Sequence, residues 1–187
     1  MKSEIEQILL SVAVLAIAIS GIGFRPLSEV AERLAVVVFP LLVGFLAHEF
    51  AHKSMAARFG FFSVYRAWNL GLLLALVAGL LSGGRIIFAA PGAVVILAPF
   101  ITVEQGGLIS LAGPLTNIGV ACAFFPLTYL GGMLGLMGIL GSYINLWLAF
   151  FNLLPIPPLD GSKVMVWNPF LWAAVEIPLL LVIGVLY

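Results

Sequence analysis

The sequence predicts an all-α polytopic membrane protein with about five to six transmembrane helices and one short re-entrant strand or hairpin segment. Two features of its composition lead to this fold class: 63% of the 187 residues are hydrophobic and only 9% are charged. Soluble globular domains carry about 25% charged residues and are nearer to half apolar. A water-soluble fold cannot bury this much apolar surface, so lipid must be the solvent for most of it. The third observation is that several apolar runs approach the roughly 20 residues that a helix needs to cross the hydrocarbon core.

The N-terminal part of the chain contains two predicted spans. Residues 8–24 form the first, which we expect to be retained, because no small-x-small site for signal-peptide cleavage follows it. A short polar link leads to the second span at residues 34–59. The first half of this span is apolar, and its second half carries five ionisable side chains, namely His48, Glu49, His52, Lys53 and Arg58.

The middle of the chain gives a mixed pattern. Residues 70–81 are apolar but only a dozen long, which suits a re-entrant piece better than a full crossing. Residues 86–101 are rich in Val, Ile and Phe and are interrupted by Pro91, Gly92 and Pro99. This composition favours a short strand or hairpin over a helix.

Three further helices are predicted in the C-terminal part. They cover residues 109–130, with Pro126 as a kink near the end, residues 134–154 and residues 170–187. The sequence contains no internal repeat and no low-complexity linker. We therefore expect residues 1–187 to form a single membrane-embedded domain.

The chain has only two histidines, His48 and His52, and Glu49 follows the first of them directly. Helix residues four apart lie on the same face, so two imidazoles at this spacing can reach one metal ion. Glu49 would project beside the open coordination position, where its carboxylate can take a proton from water that zinc has made more acidic. The alternative is a buried cluster that only stabilises packing. The membrane setting favours a functional site, because ionisable groups at membrane depth are costly unless paired.

One ligand is still missing from this site, since a catalytic zinc ion takes three protein ligands and keeps a fourth position for water. The acidic candidates outside the N-terminal half are Glu104, Asp160 and Glu176. Asp160 is favoured because three prolines precede it and impose an irregular backbone. Such backbone survives at membrane depth only where it is buried in protein or lines a watery cavity. An ordinary interfacial turn is the alternative for this segment.

Three motifs, in this order, closely resemble the site-2 protease family of intramembrane zinc metalloproteases: HEFAH at 48–52, AGPLTN at 112–117 and NLLPIPPLDG at 152–161. The resemblance covers about residues 34–168. It implies a three-helix catalytic core that hydrolyses a peptide bond within or beside a transmembrane segment. It also implies that Asp160 is a zinc ligand, and that Asn152 and Asn117 help to position or polarise the scissile carbonyl. Unlike many relatives, the chain has no stretch suited to a PDZ or CBS domain.

These observations together predict an intramembrane zinc metalloprotease with one zinc ion. His48, His52 and Asp160 would be its ligands, and Glu49 would act as general base and then as proton donor to the leaving amine. The expected partners are a transmembrane protein substrate and the lipid bilayer. Nucleic acid is not expected, since the formal net charge is zero and no basic run is present. The sequence does not predict the oligomeric state.

The predicted location is a multi-pass position in the cell membrane, with the active site nearer the cytoplasmic face. Both metal-binding stretches must lie on one side, so residues 60–107 must make zero or two net crossings. An exposed edge near residues 88–97 could then bind an unwound substrate by strand addition, with a hydrophobic plug as the alternative. Basic residues are enriched on the cytoplasmic side of membrane proteins. The residues expected together on that side are Lys53, Arg58, Arg66, Arg85 and Lys163, with Arg25 and Arg33 opposite.

Three other functions are alternatives to this one. A membrane metal transporter would use the histidines as a transit site, but it predicts polar residues at intervals through the bilayer, and here they cluster at one depth. A catalytically inactive scaffold is the second, and the intact Glu49 argues against it. The third is an unrelated His-Glu-x-x-His membrane protease whose third ligand is Glu104 or Glu176.

Overall fold

The structure is a computed structural model that describes residues 3–85, 88 and 90–186. Helices dominate these residues, and one pair of strands interrupts them between residues 62 and 97. In chain order the elements are α1 (Glu4–Ser20), α2 (Leu27–Arg58), β1 (Phe62–Ala67), α3 (Asn69–Ser82), β2 (Gly92–Leu97), α4 (Val103–Phe124), a 3₁₀ helix (Phe125–Tyr129), α5 (Gly132–Leu153), α6 (Asp160–Trp167) and α7 (Pro169–Leu186).

Three helices in the described part of the chain are long and apolar enough to cross a membrane. They are α2, α4 with the 3₁₀ helix that continues it, and α5. Helices α3 and α7 are also apolar but shorter. This agrees with the predicted all-α membrane class, while the predicted number of five to six spans stays a prediction.

Helices α1 and α4 begin at capping boxes that their sequences encode. The Ser3 hydroxyl accepts a hydrogen bond from the Glu6 amide, and Thr102 does the same for Gln105. Because of this cap, α4 begins at Val103, earlier than the predicted residue 109. The AGPLTN motif consequently lies in the interior of the helix rather than near its start.

Helix α2 also begins earlier than predicted, at Leu27 directly after Pro26. Glu29, Glu32 and Arg33 therefore belong to its first two turns and not to a link. Long charged side chains at the end of a span can keep their heads in the polar layer, so the helix does not have to stop where the apolar run stops.

Residues 60–107 leave one end of the bundle and return to it. β1 pairs antiparallel with β2, and α3 between them runs alongside α1, with Gly79 against Ala18. The predicted strand in 86–101 is present as β2, whereas β1 was not predicted. Residues 86, 87 and 89 lie outside the described part of the chain. Because β1 and β2 pair, the segment begins and ends at the same end of the bundle, and the predicted number of crossings stays a prediction.

The structure differs from the sequence expectation in the position of Arg85. Its neighbour Gly84 lies against the carbonyl group of Ile19, and the Arg33 guanidinium hydrogen-bonds that same carbonyl oxygen. Arg85 therefore lies at the end of the bundle that carries Arg25 and Arg33. The basic residues of the described chain then divide four against three between the two ends, a smaller excess than predicted.

The span-length helices α2, α4 and α5 pack against one another and form the centre of the molecule. Glycines permit the close approach, since a Cβ at Gly44 of α2 would collide with Asn145 of α5, and one at Gly141 would lie 2.7 Å from the Phe124 ring. Helix α1 packs against α2 and is covered by α3. Helix α6 packs against α4 and α5, and α7 packs against α5. Three buried polar residues, His48, Asn117 and Asn145, contact one another where these helices meet.

Candidate active site

The two histidines lie on one face of α2, in its C-terminal half. Their four-residue spacing sets the imidazoles side by side, with ring centroids 4.6 Å apart and Nε2 atoms 2.9 Å apart. His48 and His52 are both buried. Helix α2 thus brings two nitrogen donors to one point, as the spacing predicts.

Asp160 reaches the same point from the segment that follows α5. The proline-rich stretch after Leu153 has no regular secondary structure, and Asp160 is the first residue of α6. Its Oδ2 atom lies 3.0 Å from His52 Nε2 and 3.4 Å from His48 Nε2. Gly161 permits this return of the chain, because a Cβ there would collide with the backbone of Leu153. The structure therefore brings the three predicted ligands together.

Two oxygen atoms of helix α4 accept hydrogen bonds from the imidazole rings, one at the Nδ1 atom of each histidine. His48 Nδ1 lies 2.5 Å from Asn117 Oδ1, and His52 Nδ1 lies 2.7 Å from the carbonyl oxygen of Ile109. The Asn117 amide nitrogen donates to the Gly44 carbonyl, which orients Oδ1 towards His48. Both partners are acceptors, so each neutral imidazole carries its hydrogen on Nδ1. The Nε2 lone pairs are then free for a metal ion.

Gly113 of α4 allows this helix to approach the histidines closely. A Cβ built on Gly113 would lie 2.5 Å from His52 Nε2 and 2.7 Å from His48 Cε1. Any side chain at this position would therefore intrude on the ligand group. The glycine of the second motif has a steric role in the metal centre.

The donor set fits zinc, which is the cofactor of this site. In the part of the chain that the structure describes, one group of three potential ligand side chains, His48, His52 and Asp160, has its ligand atoms within 4.8 Å of one another. The three separations are 2.9, 3.0 and 3.4 Å. In a tetrahedral site whose zinc–ligand bonds are about 2.0–2.1 Å long, two ligand atoms lie roughly 3.4 Å apart. Three acceptor atoms this close repel one another unless a proton or a metal ion lies between them.

Glu49 lies beside the ligand group and keeps one carboxylate oxygen unpaired. The residue is only 6% exposed, and its Oε2 atom has no hydrogen-bond partner among the described residues. A buried polar atom without a partner destabilises a fold by about 1–3 kcal/mol, and a charged one by more. Glu49 lines the same cavity as the three ligands, so its carboxylate lies beside the metal site.

A cavity of about 770 Å³ contains the ligand group. Helices α2, α4 and α6 supply its polar wall, while the β2 residues 93–96 supply an apolar one. Asn152 of α5 also lines it, and its amide nitrogen donates to the Leu148 carbonyl oxygen at 2.8 Å. Arg66 and Lys163 are its basic lining residues. The volume suits a short stretch of extended peptide better than a single ion.

The remaining predicted residues occupy different environments. Asn117 is fully buried, and its described hydrogen bonds go to His48, Gly44 and Asn145. Its predicted contact with the substrate stays a prediction, as does that of Asn152. The alternative third ligands lie elsewhere: Glu104 is exposed in the first turn of α4, and Glu176 is buried on α7 outside the ligand group.

Sequence analysis missed two residues that contact this network. Ile109 contributes only its backbone carbonyl, and a backbone contact between helices leaves no signal in the side-chain pattern. Asn145 has a signal, since it is an amide in a long and otherwise largely apolar run. Polar groups at membrane depth are energetically costly and usually functional, so an asparagine in this run is itself a sequence signal for a functional residue.

Comparison with known proteins identifies relatives along nearly the whole chain. It is 45% identical over 182 residues to "Putative zinc metalloprotease MJ0611" of Methanocaldococcus jannaschii, covering 96% of this chain and 92% of that protein. It is 30% identical over 158 residues to "Putative zinc metalloprotease YwhC" of Bacillus subtilis, covering 69% and 67%. "Putative zinc metalloprotease Rip2" of Mycobacterium tuberculosis is 30% identical over 167 residues, covering 79% and 62%. No protein-family model and no solved structure matches the sequence significantly.

Proposed function

Since the chain belongs to the same family of zinc metalloproteases as these relatives, we propose that it is an intramembrane protease of the site-2 protease type. It hydrolyses a peptide bond in or near a transmembrane segment of a membrane-protein substrate. The observation that carries this proposal is that two of the metal ligands lie on one helix of membrane-spanning length and are hydrogen-bonded by a second such helix. A protease site placed there meets substrates within the lipid layer.

The depth of the site can be worked out along α2. Twenty residues separate the charged Arg33 from the charged Lys53, which corresponds to about 30 Å of helix and to the thickness of the hydrocarbon core. His48 precedes Lys53 by five residues and so lies about 8 Å below that boundary. Water can reach this depth from the nearer face, as hydrolysis requires. Four basic residues lie at that end of the bundle against three at the other, a small excess that supports a cytoplasmic orientation of the nearer face.

The residues of the site divide the chemistry between them. His48, His52 and Asp160 would hold the zinc ion, which when bound would act as a Lewis acid that polarises a carbonyl and acidifies water. Glu49 takes the proton of the attacking water on Oε2, the oxygen that has no described partner. It then delivers that proton to the nitrogen of the leaving amine. The proposed role of Asn152, which lines the cavity, is to contact the scissile carbonyl.

The substrate is proposed to bind as an extended strand. A transmembrane helix protects its own peptide bonds, so cleavage requires local unwinding. In β2 the exposure of side chains alternates along the strand, and its residues 93–96 line the cavity. One side of β2 pairs with β1, which leaves its other edge for strand addition by the unwound segment. Proline substitutions along residues 93–96 that remove outward N–H groups should impair cleavage while zinc content stays unchanged.

The deciding experiment uses purified protein in detergent and a substrate with a single transmembrane segment. Wild type should cleave it, and mass spectrometry of the products should place the new ends within or beside the apolar segment. Glu49→Gln should retain zinc and lose cleavage, and a chelator should abolish cleavage until zinc is restored. Cleavage that survives both treatments contradicts the protease assignment. Cleavage confined to a soluble domain, far from the apolar segment, contradicts only its intramembrane part.

A further inference from the structure

A continuous line of side-chain hydrogen bonds crosses all three central helices and ends on a zinc ligand. Asn145 of α5 accepts a hydrogen bond on Oδ1 from Asn117 Nδ2 at 2.9 Å. Asn117 of α4 accepts in turn, on Oδ1, from His48 Nδ1 of α2 at 2.5 Å. The protease chemistry described above does not use Asn145, and both asparagines have zero exposure.

The orientation of the Asn145 amide is fixed by its own donors. Nδ2 lies 2.9 Å from the Gly141 carbonyl oxygen and 3.4 Å from that of Pro40. Carbonyl oxygens only accept, so the amide cannot turn over without losing both bonds. Its Oδ1 is consequently held towards Asn117. The absence of a side chain at Gly44 provides the space for this amide, since a Cβ there would overlap it.

Asn117 depends on Asn145 for one of its two amide hydrogens. The other hydrogen goes to the Gly44 carbonyl oxygen at 3.2 Å. Removing the Asn145 acceptor would leave a buried N–H without a partner, at a cost of about 1–3 kcal/mol, and the amide can lower that cost by rotating. Any rotation moves Oδ1 away from His48. The imidazole would then lose the contact that holds its hydrogen on Nδ1.

We infer that Asn145 is a positioning residue of the metal centre, which acts through Asn117 to fix the tautomer and ring orientation of His48. Two buried amides are expensive inside a membrane-embedded bundle, and this role accounts for both. Outer partners of a metal-bound histidine typically alter metal affinity or activity by about 10–100-fold when they are removed. The inference deepens the proposed function, but it rests only on His48 as a zinc ligand and can be tested without any substrate.

A purely structural role must be distinguished from the positioning role, because the side chain of Asn145 also links α5 to the neighbouring helices. Ser142 provides the matched control. It lies one turn earlier on α5, is equally buried, and donates to the Ala121 carbonyl oxygen of α4 at 3.2 Å. It therefore links the same two helices without belonging to the line of bonds that ends on His48.

The test compares Asn145→Leu, which keeps the branching of the side chain at Cγ but removes its hydrogen-bonding groups, with Asn117→Leu, Ser142→Ala and the double variant. Zinc affinity is measured by chelator competition, and the ligand-field spectrum of the cobalt-substituted protein reports the geometry of the site. We expect zinc affinity to fall about 10-fold in Asn145→Leu and by up to about 100-fold in Asn117→Leu. The double variant should lose no more than Asn117→Leu alone, because one residue acts through the other. Ser142→Ala should match wild type in affinity and spectrum.

Three results would overturn the inference: wild-type zinc affinity in Asn145→Leu, an equal loss in Ser142→Ala, or losses that add in the double variant. If Asn145→Leu does not fold, Asn145→Ser is measured instead, since its shorter hydroxyl group cannot preserve all three bonds. A chain that binds zinc as expected but cleaves no membrane substrate would refute the proposed protease and leave the positioning role intact.

Discussion

Replacing Gly113 by alanine would place a methyl group among the metal ligands. The new Cβ would lie 2.5 Å from His52 Nε2 and 2.6 Å from its Cε1, where ordinary contacts begin at 3.4 Å. The overlap of about 0.9 Å can be relieved by turning the imidazole or by moving α4 outward. A ring that has turned this far no longer directs its lone pair at the point shared with His48 and Asp160.

The size of the effect follows from the usual cost of overpacking, about 1–3 kcal/mol. The metal-free protein can escape this strain by rotating the histidine, so the cost falls mainly on zinc binding. We therefore expect Gly113→Ala to weaken zinc binding by about 5- to 150-fold. Cleavage at limiting zinc should decline in parallel.

Chelator competition on the purified protein measures this loss, and Gly119→Ala provides the control on the same helix. A Cβ at Gly119 has no neighbour within 4 Å, so this variant should bind zinc like wild type. Wild-type affinity in Gly113→Ala would refute the reasoning, because it would mean that α4 does not pack against the ligand imidazoles as described. An equal loss of zinc affinity in Gly119→Ala would show that any methyl group added to α4 weakens zinc binding, whether or not it contacts the imidazoles.

The remaining predictions concern single groups around the site. Glu49→Gln should lower the cleavage rate by about 10²- to 10⁴-fold with zinc content unchanged, since it removes a general base but no ligand; loss of zinc in this variant would contradict that division. Asp160→Ala should lose stoichiometric zinc, whereas Lys163→Ala, whose Nζ lies 4.0 Å from Asp160, should keep it; metal analysis distinguishes the two. Chelation should lower the midpoint of thermal unfolding, because zinc at 100 times its Kd stabilises the folded state by about 2.7 kcal/mol; an unchanged midpoint would contradict a site formed only in the folded chain. Burial alone would raise the pKa of Glu4, but the hydrogen bonds from Lys53 and from the Tyr65 backbone N–H, with the positive charges of Lys53 and Arg66, together outweigh burial and lower the pKa below its ordinary value of 4.5. A lowered folded-state pKa contributes stability above pH 4.5 that is lost as the pH falls through the folded value, so the acid limb of a stability–pH curve should flatten in Glu4→Gln.

The metal centre could be predicted because its signals are local in the sequence. The spacing of His48 and His52 determines their common face on any helix. The prolines before Asp160 indicate an interrupted backbone wherever the segment lies. The contact of Asp160 with the two histidines depends on the tertiary structure. It is predicted from the chemistry of zinc, which needs a third ligand, and not from packing.

The parts of the fold that sequence analysis missed depend on contacts between distant residues. β1 contains Ser63 and Arg66 between apolar residues, and only its pairing with β2 stabilises this short segment as a strand. The position of Arg85 depends on how α3 packs against α1, which neither hydropathy nor charge counting reports. The early start of α4 is predictable from the sequence, because Thr102 and Gln105 form a recognisable capping box.

The role of Asn117 shows a different limit. The family resemblance implies a contact with the substrate, while the structure describes hydrogen bonds to His48, Gly44 and Asn145. A motif identifies which residues matter and leaves open which neighbour each one contacts. Only the packing of three helices places this amide behind a ligand, and no periodicity in the sequence encodes that.

Zinc X-ray absorption on the purified protein tests the central claim most directly. Two imidazoles and one carboxylate predict one zinc per chain, with a first shell of nitrogen and oxygen at about 2.0–2.2 Å and outer-shell scattering from two histidine rings. A sulfur scatterer at about 2.3 Å, which would place Cys122 in the shell, or a preparation without stoichiometric metal, would contradict the account.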